Sequence, residues 1–432
     1  MTKIESAEGA LDLRAPLEAL LTDLWEDVLQ VTVEAEDNFF ALGGNSIKAA
    51  RVMNGLQEKM NAIFHPASIF VAPTVASLAD YCRQNYPGVF DNAQTAAAAE
   101  KLTGDQIDIA REHLLRRNSG GSLTMDATGE KNGPAIFILS PPRSGSTLLR
   151  VILGGHPDLF SPPEPYLLSF DTLRQRRDTF SGRLEFFREG LIRALMELKN
   201  CPRQDAEALM SSLEQQDLST KTCFGLMQEW AGHRRIVDKT PSYAFNPRVL
   251  RRAETEFKDA LFIHLTRHPM ASVCSYEEIR ADLVTGNTEE ELPFSPRQKA
   301  ELWWLISHQN IAAFLQTIPQ NRQYTLKYED MVAEPEAVTR QLCAFLDIDF
   351  YSGMLDPYQE KKSRMTDGVS DLSKMMGDQK FHAHKAIDTQ SVDRWRDKYR
   401  EDFLCDASWT LAESLGYARE VFADAEREEW EL

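Results

Sequence analysis

Ala135-Ile136-Phe137-Ile138-Leu139-Ser140-Pro141-Pro142-Arg143-Ser144-Gly145-Ser146-Thr147 is the stretch on which the fold turns. Five apolar residues in an unbroken row suit a strand buried on both faces. The row ends in a Pro, Ser and Gly loop, and a helix starts near Thr147 with an apolar segment from Leu148 to Leu153. Successive backbone N–H groups at such a helix start form a nest for an anion, and the helix dipole adds to it. Arg143 and the hydroxyls of Ser144, Ser146 and Thr147, with Gly145 among them, supply further donors, so the stretch reads as a phosphate site. It is not a nucleoside-triphosphatase loop, because G-x-x-x-x-G-K-[ST] is absent and no lysine precedes the Ser/Thr.

Outward from this stretch, short β-rich runs recur at Arg235 to Asp238, Leu261 to Thr266 and Tyr324 to Tyr328. Amphipathic segments, Ala271 to Ile279 and Glu336 to Leu346, follow or separate them. Alternation of this kind predicts a C-terminal α/β domain, residues 134–432, with a parallel central sheet covered on both faces. The N-terminal zone differs. Leu17, Leu20, Leu21, Leu24, Trp25, Val28 and Leu29 recur at helical spacing, and Ile47, Ala50, Val52, Met53 and Leu56 trace a second apolar face. Pro66 to Phe70 suits a short helix, and Thr74 caps a fourth through Tyr81. An all-α four-helix bundle over residues 10–88 is expected, then a linker over 89–133 with one helix at Gln106 to Leu115.

Composition narrows the function. The 432 residues carry 66 acidic against 48 basic side chains, a formal charge of −18, which repels phosphate backbones and argues against general nucleic-acid binding. Six scattered cysteines form no C-x-x-C pair and no zinc-ligand spacing, so they read as reduced thiols and no metal site is expected. Met1 to Leu13 lacks the make-up of a signal peptide, and no run of about 18 apolar residues occurs. A cytoplasmic protein without membrane partners is expected.

Leu42-Gly43-Gly44-Asn45-Ser46 places Ser46 at the start of a helix, with its hydroxyl expected to be exposed. Alone this is an N-cap serine. With Asp37-Asn38-Phe39-Phe40 before it, Ile47-Lys48-Ala49-Ala50 after it, and Phe70, Pro73, Thr74, Val75, Leu78 and Ala79 downstream, it resembles a thiolation (acyl or peptidyl carrier) domain of nonribosomal peptide and polyketide synthases. The resemblance implies that Ser46 carries a 4′-phosphopantetheine arm, attached by a phosphopantetheinyl transferase and charged by an upstream acyl- or aminoacyl-loading enzyme. Asn45 departs from the Asp or His usual before that serine.

A second strand-loop-helix, Leu261 to Thr266 followed by Arg267-His268-Pro269 and on to Ser275, offers Arg267 and Ser275 to another phosphate. The two loops, with Asp238-Lys239-Thr240-Pro241, Lys327-Tyr328-Glu329-Asp330 and Leu415-Gly416-Tyr417, resemble the sulfotransferases that use 3′-phosphoadenosine 5′-phosphosulfate. By that resemblance Arg143 to Thr147 hold the 5′-phosphosulfate, and Arg267 and Ser275 hold the 3′-phosphate. The pairing with a carrier is similar to that in curacin-type and olefin-forming synthases, where a sulfated β-hydroxyacyl thioester goes on to a thioesterase. Too few residues follow Tyr417 for a thioesterase, so one acting in trans or release of a stable sulfate ester are both left open.

Sulfuryl transfer resembles phosphoryl transfer and needs cations at the leaving group and a base at the acceptor. Arg143 and Lys239 are the candidate cations. Glu164, in Ser161-Pro162-Pro163-Glu164-Pro165, lies 21 positions after Arg143, the spacing at which tyrosylprotein-type members carry a catalytic glutamate. Histidine is the competing base, at His382, His384 or His264, whereas His156 reads as structural. Two other functions remain open: a kinase-like phosphotransferase, and a noncatalytic carrier scaffold that binds nucleotide.

Overall fold

The computed structural model describes residues 14–60, 62, 64, 68–86, 89, 101–117, 123, 129–278, 294–370, 381, 385–420 and 422. Met1 to Leu13, the run Ala96 to Ala99, Ile279, His382 and His384 lie outside them. The chain divides at Ala96 into two compact units.

The first unit holds α1 (Arg14–Leu29), α2 (Ser46–Met60), α3 (Ser68–Val71) and α4 (Val75–Asn85). The apolar stripe of α1 buries Leu17, Leu21, Leu24, Trp25 and Leu29 against Val52, Met53 and Leu56 of α2 and Val75, Leu78 and Ala79 of α4. Trp25 meets Phe39 edge to face at 4.8 Å, which seats the loop before α2 on the bundle. Thr74 caps α4 in a reciprocal box with Ser77.

The second unit opens with α5 (Gly104–Arg117) and continues β1 (Ile136–Leu139), α6 (Ser146–Leu153), β2 (Leu159–Phe160), α7 (Leu173–Thr179), α8 (Glu189–Lys199), α9 (Arg203–Gln215), α10 (Thr220–Ala231) and β3 (Arg235–Lys239). Then come α11 (Pro247–Glu256), β4 (Leu261–Thr266), α12 (Pro269–Glu278), α13 (Pro296–Leu315), β5 (Gln323–Lys327), α14 (Tyr328–Ala333), α15 (Pro335–Leu346), α16 (Arg394–Lys398) and α17 (Asp406–Ser414). The helix read inside the linker, α5, packs within this unit: Leu102, Ile107, Ala110 and Leu114 are buried in a cluster with Trp303 and Tyr399, and Arg111 donates to Gln309 at 2.7 Å.

The strands form one parallel sheet in the order β2-β3-β1-β4-β5. Its residues alternate between two cores, as a pleat requires. Phe137, Leu139, Ile236 and Phe262 face one cluster with α8, α10 and α11, while Ile136, Ile138, Val237 and Ile263 face another with α6 and α15. From β1 the chain goes first to β2 and β3 on one side, then to β4 and β5 on the other, so the order reverses between β1 and β4. Loops at the carboxyl ends of strands beside such a reversal are where parallel α/β sheets bind ligands.

Candidate active site and carrier serine

The loop from β1 to α6 sits at that position. Arg143 (φ 68°) and Gly145 (φ 85°) both have left-handed backbone, which coils Ser140 to Ser146 tightly onto the helix start. Glycine is required at 145 for a second reason: a Cβ there would stand 2.2 Å from the Tyr328 ring. Arg143 Nε donates to Ser275 Oγ of α12 at 3.2 Å, which ties the two strand-loop-helix segments together. Arg267, at the end of β4, donates to the carbonyl of Arg143 at 3.0 Å and to that of Ser391 at 2.8 Å. Its guanidinium lies 4.4 Å from the centre of the Tyr328 ring, whose hydroxyl is 2.7 Å from Ser391 Oγ.

Among the described residues, the buried groups here with no hydrogen-bond partner include Ser140 Oγ, Ser144 Oγ, Ser272 Oγ and Arg267 Nε. Buried polar atoms are costly when unpaired, about 1–3 kcal/mol each, and these are donors around two cationic side chains. The residues therefore fit a ligand with two anionic groups. Ser391 stands in no patterned neighbourhood of the sequence, and Ser272 and Tyr328 are visible only as members of motifs, with no role marked for either.

On the other side of the α6 start lies the second group. The backbone after β2 bridges to β3 at Pro163 and Lys239, which sets Glu164 beside the lysine. Lys239, 1% exposed, donates to Glu164 Oε1 and is 3.5 Å from Thr147 Oγ1. Glu164 Oε2 accepts from the Tyr166 hydroxyl at 2.7 Å. Gly190 on α8 makes this approach possible, because a Cβ would fall 2.0 Å from the Pro163 carbonyl oxygen and 2.4 Å from that of Glu164. Behind the pair, Arg150 of α6 donates to the carbonyls of Ser161 and Arg364, and burial lowers its guanidinium to about 10 despite the nearby Glu164 charge.

Asp238 points to the opposite face of β3, where Thr240 Oγ1 and the Tyr243 hydroxyl donate to it at 2.8 and 3.0 Å. Burial outweighs these bonds and raises its carboxyl from 3.8 to about 7. A carboxyl raised on folding binds protons more tightly in the folded state. It therefore costs stability progressively as pH climbs from 3.8 to about 7 and no further above that. Asp238→Asn is expected to remove that decline, so the gap between variant and wild type will shift in the variant's favour between about pH 4.5 and about pH 8 in denaturant melts.

The structure brings together Arg143, Ser275 and Arg267 in one group and Lys239, Glu164 and Thr147 in the other, joined by the loop that carries Ser144, Gly145 and Ser146. Of the candidate histidines, His264 and His156 stay outside both, while His382 and His384 lie outside the described residues. His264 Nε2 is bonded to His308 Nδ1 at 2.9 Å within the fully buried space between β4 and α13, and burial lowers His264 to about 4. His156 is tied to the Asp349 carbonyl and the Asp158 N–H, a structural role. Among the described residues no cluster of His, Cys, Asp or Glu is arranged to hold a metal ion.

In the first unit Ser46 is the first residue of α2 and is 9% exposed, so the exposed hydroxyl expected from sequence is corrected to a largely buried one. The cap is the neighbour: Asn45 Oδ1 accepts from the Lys48 N–H at 2.9 Å and the Asn45 carbonyl from the Ala49 N–H at 2.8 Å. Asn45 thus performs the capping that a serine-only reading assigns to Ser46. Gly44 is pressed against Phe39, whose ring a Cβ would meet at 2.3 Å, whereas Gly43 (φ 86°) faces open space.

A family model described as the sulfotransferase family matches residues 134–352. The chain belongs to the sulfotransferase family. A second model, the phosphopantetheine attachment site, matches residues 19–82, so this sulfotransferase is fused to a carrier domain. It is similar to the solved sulfotransferase domain from the curacin biosynthetic pathway, at 40% identity and a TM-score of 0.62, covering 67% of this chain and 99% of that one. The sulfotransferase domain of the Synechococcus PCC 7002 olefin synthase is 34% identical with a TM-score of 0.61, covering 69% and 100%. Among curated proteins, nodulation protein NoeE of Sinorhizobium fredii is 27% identical over 60% of this chain and 59% of its own. The dimodular nonribosomal peptide synthase of Bacillus subtilis is 41% identical over 20% of this chain and 3% of its own length. The chain thus spans less than two thirds of either curated relative. No helix of the described residues is long and apolar enough to cross a membrane.

Proposed function

We propose that this sulfotransferase moves a sulfuryl group from 3′-phosphoadenosine 5′-phosphosulfate to a hydroxyl of an acyl or aminoacyl group held as a thioester on a 4′-phosphopantetheine arm at Ser46. The observation that carries the reading is the Arg143–Ser275 hydrogen bond, which joins two anion-binding loops next to the Lys239–Glu164 pair. The donor supplies an activated sulfur and a phosphate leaving group. Arg143, the Ser144 hydroxyl and the N–H groups at the start of α6 hold the phosphosulfate; Arg267 and Ser275 hold the 3′-phosphate. Glu164 takes the acceptor proton as the new S–O bond forms and the S–O bond to the phosphate breaks. Lys239 and Arg143 face the charge that the leaving phosphate gains.

A phosphopantetheinyl transferase and an upstream loading enzyme are the partners this reading requires, and a thioesterase acting in trans would consume a sulfated product. Tethering raises the acceptor's effective concentration toward the millimolar range, so a hydroxyacyl group on Ser46 should outcompete the same group on free pantetheine. The test is intact-protein mass after incubation with coenzyme A, a transferase, a hydroxyacyl group and the donor. Gain of one sulfuryl group on the loaded carrier supports the reading. Gain from ATP and magnesium instead would mark a phosphotransferase, and binding without transfer a scaffold.

Arg267 gives a narrower expectation. Arg267→Ala is expected to weaken binding of 3′-phosphoadenosine 5′-phosphate about ten- to hundredfold, the worth of a charge-assisted hydrogen bond. Adenosine 5′-phosphate, which lacks the 3′ group, should lose little. Calorimetry with both ligands checks this, and equal losses would take the 3′-phosphate away from Arg267.

A further inference from the structure

We infer that Tyr166 is a positioning residue for the reaction, holding the Glu164 carboxylate in its orientation once Lys239 has turned to the donor. The inference rests on the reading of Glu164 as the base. Glu164 has two oxygens and both are claimed, Oε1 by Lys239 and Oε2 by Tyr166 at 2.7 Å. An acceptor hydroxyl needs one of them as its proton acceptor. Lys239 is the donor that changes allegiance, because an anionic phosphosulfate competes for its charge. Among the described residues the Tyr166 hydroxyl is given to Glu164.

Its surroundings fix it. The backbone is left-handed at φ 53°, which a bulky residue adopts only where packing enforces it. The ring meets Phe180 and Phe187 edge to face at 5.2 and 5.0 Å. This conformation turns the phenol back onto the side chain two residues earlier. Burial beside Glu164 also pushes the phenol well above the usual tyrosine value, so it remains a proton donor at every working pH. When Oε1 is vacated, the Tyr166 bond is the one that stops the carboxylate from rotating.

The other charged groups near Glu164 are Lys239 of β3, Arg150 of α6 and, on the other face of β3, Asp238, while Tyr243 and Arg176 lie near the phenol. All of them are unchanged in Tyr166→Phe, which removes one hydroxyl and keeps the ring.

The test is single-turnover sulfation by the full chain on a preloaded carrier, with donor KM measured beside it. Tyr166→Phe should lower kcat about tenfold at unchanged donor KM. Phe187→Leu, which disturbs packing and spares the hydroxyl, should keep the wild-type rate. Glu164→Gln and the double variant Glu164→Gln/Tyr166→Phe should be equally slow, because Tyr166 acts only through that carboxylate. A wild-type kcat in Tyr166→Phe, or a further loss in the double variant, would overturn the inference while leaving the base assignment standing; a wild-type rate in Glu164→Gln would overturn the base assignment itself.

Discussion

Glu164→Gln will lower turnover on a preloaded carrier by about 10²–10⁴ while donor affinity stays nearly constant. Glutamine keeps the length of the side chain and one oxygen to accept from Lys239, but it has no basic lone pair of comparable strength. The donor contacts proposed for Arg143, Arg267 and Ser275 come from other elements, so they do not pass through Glu164. The change also strips the counter-charge from a lysine that is 1% exposed, and loss of one partner of a buried pair typically costs about 3–5 kcal/mol. Stability must therefore be measured alongside single-turnover sulfation, so that a folded, donor-binding, slow enzyme is distinguished from an unfolded one. His384→Ala is expected to change turnover far less. Near-normal rates for Glu164→Gln together with collapse for a histidine variant would move the base to the segment around His382 and His384.

Ser46→Ala is expected to abolish attachment altogether. Wild type treated with coenzyme A and a broad-specificity transferase should gain one phosphopantetheine by intact mass, and the variant none. Asn45→Ala is the informative contrast. It removes the side chain that caps α2, at a cost of about 0.5–2 kcal/mol to the bundle, but leaves the nucleophilic hydroxyl in place. Attachment should persist there once the bundle is shown to be folded. Equal mass gain in Ser46→Ala and wild type would remove the serine from the reaction.

Local pattern carried much of this architecture. The five apolar residues Ala135 to Leu139 are legible as a doubly covered strand because burial on both faces leaves no polar position in the row. The stripe on α1 is legible for the opposite reason, since a helix covered on one side alternates at a helical period. Neither signal reaches β2, which is two residues long, or α13, where Trp304, Leu305, Ile306 and His308 are at most 1% exposed and no polar face remains to set a period. At the site, Arg267 stands out as a charged residue at a strand end, and Arg143 and Glu164 as charged residues in Pro-rich loops after strands. The Tyr166 contact does not, because it depends on a left-handed backbone between Pro165 and Leu167 that no residue type announces. The pairing of His264 with His308 was likewise hidden, as the two lie 44 residues apart and meet only across the packing of β4 on α13.

The strand order has a consequence for how such a protein can change. Everything proposed to grip the nucleotide hangs from β1 and β4, whereas the carboxylate and the ammonium proposed to work on the hydroxyl hang from the loop after β2 and from the end of β3. The two sets are neighbours in space but are encoded by separate stretches of chain. The segment from Ser161 to Lys199, with its loop and the helices α7 and α8, can accordingly be exchanged as a cassette between relatives while the donor grip is left untouched. A chimera of that kind should inherit its choice of hydroxyl from one parent and its nucleotide from the other, and it must keep Gly190, where even a methyl group would spoil the graft.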